Sequence, residues 1–311
     1  MQVQIQEILD RNTTKTEKIK ALLDLGCSRV QIADLEVLGK YGAIQNIFAK
    51  WQLGRNGNIP TQFIFSPIPF SKRFGIEIEA YGIDRRRVAT ALHQAGINCN
   101  AEYYNHNTRM EWKVVTDASL SGTDTFELVS PILQGEEGLE QVRIVSEVLI
   151  RLGAKINRSC GLHVHFDAAN MDLTNWKRLI SNYAGLESTI DSMMPQSRRG
   201  DTNTYCRSMK IANLRSKIES ARTLDQLRNI FPNRYSKINT QAFSRHRTIE
   251  FRQHSGTFES EKIINWIVFL HNLVDYSKNN AIETDNFESL KKFNSIETLN
   301  FYHSRIQDLN S

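Results

Sequence analysis

Four segments of the chain alternate apolar residues with glutamate, histidine or arginine, and this pattern constrains the fold more than any other feature. The segments are FGIEIEA (74–80), TFELVSP (125–131), CGLHVHFD (160–167) and TIEFRQH (248–254). Neighbouring side chains of a strand point to opposite faces, so each segment predicts a strand with one apolar and one polar face. We therefore expect a sheet whose polar face carries the chemistry.

The polar faces of these predicted strands hold an unusual set of side chains. They carry no lysine but four glutamates, three histidines and an arginine: Glu77, Glu79, Glu127, His163, His165, Glu250, Arg252 and His254. Glutamates crowded into one cleft repel each other, and a cation removes that cost. Glutamate oxygens with an imidazole suit Mg²⁺ or Mn²⁺ better than a closed zinc site, which favours cysteine and histidine. The pattern therefore predicts a divalent-metal site.

Two other interpretations of the histidines stay open at this point. His163 and His165 could form a zinc pair with Cys160, since C-x-x-H is a known zinc-ligand spacing, although the surrounding glutamates argue against it. His246 and His254 could be strand-end or loop histidines with no part in the site.

Helical patterns alternate with these strands after residue 72. Asp84 is expected to cap the first helix, and Gly96 follows its end. Longer stretches with one apolar stripe follow at residues 138–153, 172–194 and 259–277. Strands mixed with helices in this way predict an α+β domain over residues 72–311.

The first 58 residues are expected to form a separate module of three helices. TKTE (14–17) has the form of a capping box, SRVQ (28–31) opens a second helix, and YGAIQNIFAKW (41–51) keeps its apolar residues on one face. Three prolines within residues 59–71 indicate a linker to the next domain.

This module is similar to a helix-turn-helix, with about one extra residue in the turn. On that similarity residues 14–51 would bind DNA, and the third helix would present five exposed residues to the major groove: Lys40, Tyr41, Gln45, Asn46 and Lys50. Residues 1–73 carry a net charge of +4, against +1 for the remainder. This difference also favours binding of a polyanion by the N-terminal part of the chain. The alternative is a helical packing or dimerisation module.

Composition argues against a membrane protein and a secreted one. No apolar run approaches the ~20 residues that span a bilayer, and the first ten residues lack the pattern of a signal peptide. The four cysteines are far apart and form no C-x-x-C pair, which suits a reducing compartment. We therefore expect a cytoplasmic protein.

The strand motifs also resemble the amidoligase family, within the glutamine synthetase and glutamate–cysteine ligase group of carboxylate–amine ligases. Four blocks occur in the family's order over roughly residues 72–275: FGIEIE, EWKVVTDASL with FELVSPIL, CGLHVHFD, and HRTIEFRQHSGT. The resemblance implies an antiparallel sheet curved around a funnel with helices outside. It also implies that ATP phosphorylates a carboxylate and that an amine attacks the acyl phosphate, with Mg²⁺ or Mn²⁺ as cofactor.

The same resemblance implies roles for individual residues. It implies five metal ligands: Glu77, Glu79, Glu127, His163 and Glu250. It places His165 close to the nucleotide phosphates and implies that Arg252 stabilises the transferring phosphoryl group. Arg247 would assist Arg252 or bind the substrate carboxylate. Lys113 and Asp117 match a block of less defined role, and we expect them to contact nucleotide or substrate.

The leading interpretation is thus an ATP-dependent ligase of small acids and amines, as a monomer or an oligomer. If the front module binds DNA, one substrate could be attached to a nucleobase, as in a modification enzyme of a phage or mobile element. Two alternatives stay open: a DNA-binding regulator with a nucleotide- or amino-acid-sensing domain, and a metal-dependent hydrolase. Residues 98–108 are compatible with a substrate rim and residues 197–208 with a lid, or both with plain connections.

Overall fold

The computed structural model describes residues 2–25, 27, 29–39, 43–44, 47–48, 73–105 and 107–310. Contacts between Cα atoms group the chain into two compact units. The first comprises residues 1–66 and 295–311, and the second comprises residues 67–294. The C-terminal residues thus belong to the first unit, whereas the sequence-based division, which stays a prediction, runs the ligase domain to residue 311.

Helices and strands alternate along the described residues. The helices are α1 (Gln2–Leu9), α2 (Lys15–Asp24), α3 (Arg29–Asp34), α4 (Arg85–Gln94), α5 (Gly135–Leu152), α6 (Leu173–Gly185), α7 (Glu187–Ser192), α8 (Leu214–Ser220), α9 (Leu224–Arg228), α10 (Ala242–His246), α11 (Ser260–Ser277) and α12 (Ile296–Asn310). Short 3₁₀ helices cover Gln196–Arg198 and Phe287–Lys292. Among the described helices, none has the length and apolarity needed to cross a membrane.

The first unit is helical in its described part. The capping box expected at Thr14 and Glu17 is present: Thr14 Oγ1 accepts from the Glu17 amide at 3.2 Å, and α2 starts at the next residue after Thr14. Apolar side chains of α1–α3 pack in one cluster with Leu38 and Ile44, and α12 contacts α3. The five residues predicted to contact DNA and the linker at 59–71 lie outside the described residues, so DNA binding stays a prediction.

An eight-stranded sheet organises the second unit. Its strands are β1 (Arg73–Ala80), β2 (Cys99–Ala101), β3 (Trp112–Thr116), β4 (Phe126–Val129), β5 (Leu133–Gln134), β6 (Gly161–Asp167), β7 (Ile238–Asn239) and β8 (Thr248–Ser255). Their spatial order is β2-β3-β4-β1-β6-β8-β7, and β5 pairs with β1. The pairs are antiparallel except for β2 with β3. The predicted α+β class is confirmed, with a mixed sheet in place of a purely antiparallel one.

The four strands predicted from alternation are neighbours in the sheet, in the order β4, β1, β6, β8. Their apolar side chains are buried, and Phe166 of β6 contacts both Phe251 of β8 and His271 of α11, with ring centroids 6.1 and 6.3 Å apart. Helix α11 therefore covers the apolar face of the sheet. This packing leaves the opposite face of the same strands for Glu, His and Arg.

A β-bulge in β8 interrupts this alternation beside β6. Leu162 pairs with His254 and Val164 pairs with Phe251, so β8 has one residue more than β6 over this stretch. The extra residue turns His254 towards the helices, where its ring lies 5.6 Å from that of Trp266 on α11. The expectation that His254 shares the polar face is wrong, because period-two alternation does not continue through a bulge.

The helix ends follow their capping residues. Asp84 caps α4 as predicted, since its Oδ1 accepts from the Arg86 amide at 2.9 Å. The single helix expected over residues 172–194 is divided into α6 and α7. The division falls at Leu186, whose φ of −95° and ψ of 3° depart from helical values directly after Gly185.

A substitution at Gly122, in the turn between β3 and β4, tests whether this turn requires a glycine. Its φ is +135°, and a Cβ built there would lie 2.6 Å from Cδ2 of Tyr81. Gly122→Ala should therefore lower the free energy of unfolding by about 1–3 kcal/mol, measured by urea denaturation. The matched control is Gly185→Ala, which has open space around its Cβ and should be neutral or stabilising by up to about 1 kcal/mol. Equal stability of Gly122→Ala and wild type would contradict the account.

Candidate active site

Strand register brings glutamates and histidines of neighbouring strands together. Glu77 pairs with His163 across β1 and β6, and Glu79 pairs with Glu127 across β1 and β4. Paired residues of adjacent strands point to the same face of a sheet. Strand β8 adds Glu250 beside β6 on that face. The structure thus assembles on one surface the five residues that the resemblance implied as metal ligands.

His163 lies at the centre of this cluster and is 3% exposed. Its Nδ1 is 3.0 Å from Glu77 Oε2 and 3.7 Å from Glu250 Oε1. Its Nε2 is 3.6 Å from Glu79 Oε1. Its Nδ1 therefore contacts carboxylates of both β1 and β8, and its Nε2 contacts a second carboxylate of β1.

Two groups of side chains in this cluster could each hold a metal ion. The first is Glu77, His163 and Glu250, and the second is Glu79, Glu127 and His163. In each group the ligand atoms lie within 4.8 Å of one another. Carboxylate oxygens with one imidazole favour Mg²⁺ or Mn²⁺. Neither group includes Cys160, so the geometry of the described residues does not favour the zinc alternative.

The carboxylates of the cluster do not ionise alike. Burial, together with the charges of Glu77 and Glu79, raises the pKa of Glu127 well above its usual range. Burial also disfavours the ionised form of Glu77, but His165 and His163 outweigh it and hold the pKa of Glu77 well below its usual range. The cluster therefore lacks the positive charge needed to ionise every glutamate, which a divalent cation would supply.

Two further observations fit a cation at this site. A Cβ built on Gly161 would lie 3.0 Å from His163 Nε2 and 3.2 Å from Glu79 Oε2, so a side chain at this position would fill the space between the ligands. The Nε2 atom of His165 is buried and lies at ion-pair distance from the carboxylates of both Glu77 and Glu250. It lies 3.3 Å from Glu77 Oε1 and faces the first ligand group.

Arg252 borders the cluster on β8. Its guanidinium forms a short ion pair with Glu250, and its Nε donates to the Tyr205 carbonyl at 3.3 Å. Burial disfavours the charged form of Arg252, but Glu250 and Glu77 outweigh it and raise its pKa further. The same two glutamates raise the pKa of His165 against the effect of burial. Arg252 is thus held as a cation beside the ligand groups, and the raised pKa of His165 favours its charged form there, so phosphate oxygens would be attracted.

A cavity of about 410 Å³ opens beside the cluster within the second unit. Glu77, Glu127 and His165 line one part of it. Other parts carry four cationic side chains: Arg73, Arg109, Lys113 and Arg247. The cavity therefore joins the acidic cluster to a positively charged wall.

Lys113 shapes this cavity through a loop. Its Nζ donates to the Asn105 carbonyl (3.0 Å), to Asn105 Oδ1 (3.0 Å) and to the Asn107 carbonyl (2.7 Å). Burial lowers the pKa of Lys113. Because Asn105 and Asn107 line the cavity, Lys113 holds part of its wall, and a catalytic role for this residue stays a prediction.

Arg247 differs from the other cations of the wall. It caps α10 in the left-handed conformation (φ 57°, ψ 25°), and its guanidinium carbon lies 4.1 Å from the centre of the Phe243 ring. Arg109 forms an ion pair with Glu102 at 3.0 Å, whereas no carboxylate lies within ion-pair distance of Arg247 in the described part of the chain. Arg247 can therefore receive an anionic ligand.

Asp117 is less well placed than the other predicted residues. It lies in the turn after β3, and its Oδ1 accepts from the amide and hydroxyl of Ser119 at 2.8 and 2.6 Å. It is close enough to Glu127 to contribute to the raised pKa of that glutamate. Nucleotide binding by Asp117 stays a prediction. His246, also left open, lines the cavity with its ring 6.3 Å from that of His165.

Sequence reasoning missed two residues near the cluster. Asn239 of β7 donates to Glu250 Oε2 at 2.6 Å, but a two-residue strand has no alternation to reveal it. Arg198 is 3% exposed, donates to the Cys160 carbonyl, and has its NH1 3.3 Å from a Cβ built on Gly161. It lies in the segment 197–208, in which Arg198 and Cys206 are buried and the other side chains are half-buried or exposed, and a lid function of this segment stays a prediction.

Comparisons with known proteins give one family match. A family model described as a putative amidoligase enzyme matches residues 71–274. Among solved structures, a crystal structure of a novel glutamine synthase homolog is 11% identical to the chain, with a TM-score of 0.39, and the match covers 78% of this chain. This chain spans 65% of that structure, less than two thirds of its length. No curated protein matches the sequence.

Glu127 provides a test of the metal assignment. Because the pKa of Glu127 is raised well above its usual range, a cation that binds at its ligand group should displace a proton. We expect Mn²⁺ binding to weaken as the pH falls and to release up to about one proton per ion, measured by calorimetry in buffers of different ionisation heat. Glu127→Gln should bind Mn²⁺ more weakly and release less, whereas the exposed-site control Glu137→Gln should match wild type. Equal Mn²⁺ binding in Glu127→Gln and wild type would refute the assignment.

Proposed function

The chain belongs to the family of putative amidoligase enzymes, and from that membership we propose that it is an ATP-dependent carboxylate–amine ligase. The observation that carries the proposal is the pair of ligand groups that share His163, with Arg252 at their edge and the cavity beside them. This arrangement suits the transfer of a phosphoryl group to a carboxylate bound in the cavity.

The residues have separate tasks in this proposal. Glu77, Glu250 and His163 would hold one divalent cation, and Glu79 and Glu127 would hold another, because a neutral imidazole has only one ring nitrogen free to bind a cation. When bound, such cations would neutralise the charge that develops on the phosphates of ATP during transfer. The ligands and their second contacts, such as the amide of Asn239 on Glu250, fix these positions before substrate arrives.

The reaction proceeds in two displacements. An oxygen of the substrate carboxylate attacks the γ-phosphorus of ATP, the bond from that phosphorus to the β,γ-bridging oxygen breaks, and ADP leaves. The amine nitrogen then attacks the acyl carbon of the acyl phosphate, loses a proton, and inorganic phosphate leaves as the amide forms. Arg252 would stabilise the charge on the phosphoryl oxygens, and His165, whose charged form Glu77 and Glu250 favour, would attract the nucleotide phosphates.

The cavity supports a small acid as the phosphorylated substrate. Its volume of about 410 Å³ is in the range of pockets for small molecules. Arg247, stacked on Phe243 and free of a carboxylate partner in the described residues, would bind an anionic group of that acid. A guanidinium pairs well with a carboxylate because it can donate two parallel hydrogen bonds.

Formation of ADP tests the reaction directly. Wild-type protein with ATP and Mg²⁺ should release ADP in the presence of pooled carboxylic acids and amines, and little without them. Arg252→Lys should lower kcat by roughly 10²–10³-fold, because a point charge replaces a planar group that contacts the transferring phosphoryl. Arg215→Lys, on an exposed part of α8, is the matched control and should keep wild-type turnover. A folded wild-type protein that binds ATP but makes no ADP with any pool would favour the sensor alternative.

A second substitution separates acid binding from phosphoryl transfer. Arg247→Met should raise KM for the acid by roughly 10–100-fold while KM for ATP changes little, since this loss corresponds to one charged hydrogen-bonded contact. Arg245→Met, an exposed arginine two residues away, should leave both constants near wild type. Equal acid KM in the two variants would remove Arg247 from the acid site.

A further inference from the structure

Lys237 is a buried charge that the proposed reaction does not use. It directly precedes β7 and has no exposed surface. Its Nζ lies 2.8 Å from Glu187 Oε1 and 2.6 Å from Asp191 Oδ1, both on α7. These three side chains are called the Lys237 cluster below. They are separate from the ligand groups of the candidate active site.

The two carboxylates of the Lys237 cluster also hold the segment that follows α7. Glu187 accepts from the Ser208 hydroxyl at 2.6 Å and from the Met209 amide at 2.7 Å. Asp191 accepts from the Gly200 amide at 2.7 Å. The cluster therefore fixes residues 200–209 at both ends.

The same cluster reaches the bulge of β8. Gln253, the residue after Arg252, donates from Nε2 to Asp191 Oδ1 at 2.5 Å and accepts from the Tyr183 hydroxyl. Gln253 has no exposed surface, so its side chain points away from the active-site cavity into the protein. Strand alternation thus separates two neighbouring residues: Arg252 faces the candidate metal ligands, and Gln253 is anchored on the Lys237 cluster.

Arg252 is held by the segments that this cluster fixes. Its amide donates to the Lys237 carbonyl at 2.8 Å, and its Nε donates to the Tyr205 carbonyl at 3.3 Å. Tyr205 lies within residues 200–209. Two contacts of Arg252, from its amide and from its Nε, therefore go to elements tied to the Lys237 cluster, while Glu250 holds another part of its guanidinium.

A buried ion pair is weak evidence for stability, because the cost of removing the charges from water offsets much of their attraction. It is better suited to fixing one geometry, and a group that stabilises a transition state must be held to within about 0.5 Å. We propose that Lys237 is a positioning residue that sets Arg252 in place through Glu187, Asp191 and Gln253. This inference rests on the proposed function for the role of Arg252.

A double-mutant cycle tests the proposal in the full-length protein. Lys237→Met should lower kcat for ADP formation by about tenfold or more while Mn²⁺ affinity stays within about threefold of wild type. In an Arg252→Ala background the same substitution should cause no further loss, because its effect passes through Arg252. Arg143→Met is the matched control, since it removes another buried cation from two glutamates on α5 and should leave kcat unchanged.

Lys237→Met leaves the buried Glu187 and the half-buried Asp191 without their cation, so a second variant guards against unfolding. Lys237→Met/Glu187→Gln/Asp191→Asn removes all three charges while keeping the side-chain shapes. It should have a Tm close to that of wild type and the same loss of kcat as Lys237→Met. If either variant lowers kcat by the same factor in the wild-type and in the Arg252→Ala background, the proposal is overturned.

A measurement independent of turnover separates this inference from the proposed function. The Nε–H of Arg252 can be observed by ¹⁵N NMR and assigned by its absence in Arg252→Ala. Its exchange with water should be faster by about tenfold in either cluster variant, because the hydrogen bond to Tyr205 is loosened, and unchanged in Arg143→Met. Unchanged exchange in a folded cluster variant would overturn the inference even if the wild type proved to be a ligase. Failure of the wild type to make ADP would count only against the proposed function.

Discussion

Repulsion among buried glutamates is the constraint on which the rest of this structure depends. Glu77, Glu79, Glu127 and Glu250 meet on one sheet face around His163, and burial makes their charges costly. Arg252, His163 and His165 compensate in part, and the raised pKa of Glu127 marks what they leave uncompensated. The site is therefore incomplete in electrostatic terms without cations. This incompleteness supports the proposal that the site uses metal ions in the transfer of a phosphoryl group.

The sheet provides the means to hold such a cluster. Each strand buries its apolar side against helices such as α11, and this packing fixes the register that brings the glutamates into pairs. A shift by one residue would send every ligand of that strand to the opposite face. The bulge in β8 makes one exception, which turns His254 away from the ligands and towards Trp266 of α11.

The sequence alone allows the ligand set to be predicted because period-two alternation depends only on neighbouring residues. This alternation places four residues on the polar face: Glu77, Glu79, His163 and Glu250. It also predicts that Phe166 and Phe251 pack on the apolar face. His254 was misplaced because a bulge depends on how one strand pairs with another, which no single strand encodes. The roles of Asn239 and of the loop held by Lys113 could not be predicted for a related reason: they depend on side-chain contacts across a turn or loop, which strand alternation does not encode.

The central claim is that the two ligand groups bind divalent cations for ATP-dependent chemistry. Anomalous diffraction from crystals grown with Mn²⁺ and a non-hydrolysable ATP analogue tests it most directly. The account predicts two anomalous peaks, one among Glu77, His163 and Glu250 and one beside Glu79 and Glu127, with the analogue's γ-phosphate between them and Arg252. A nucleotide bound elsewhere, or a well-ordered cluster with no anomalous peak at saturating Mn²⁺, would contradict it.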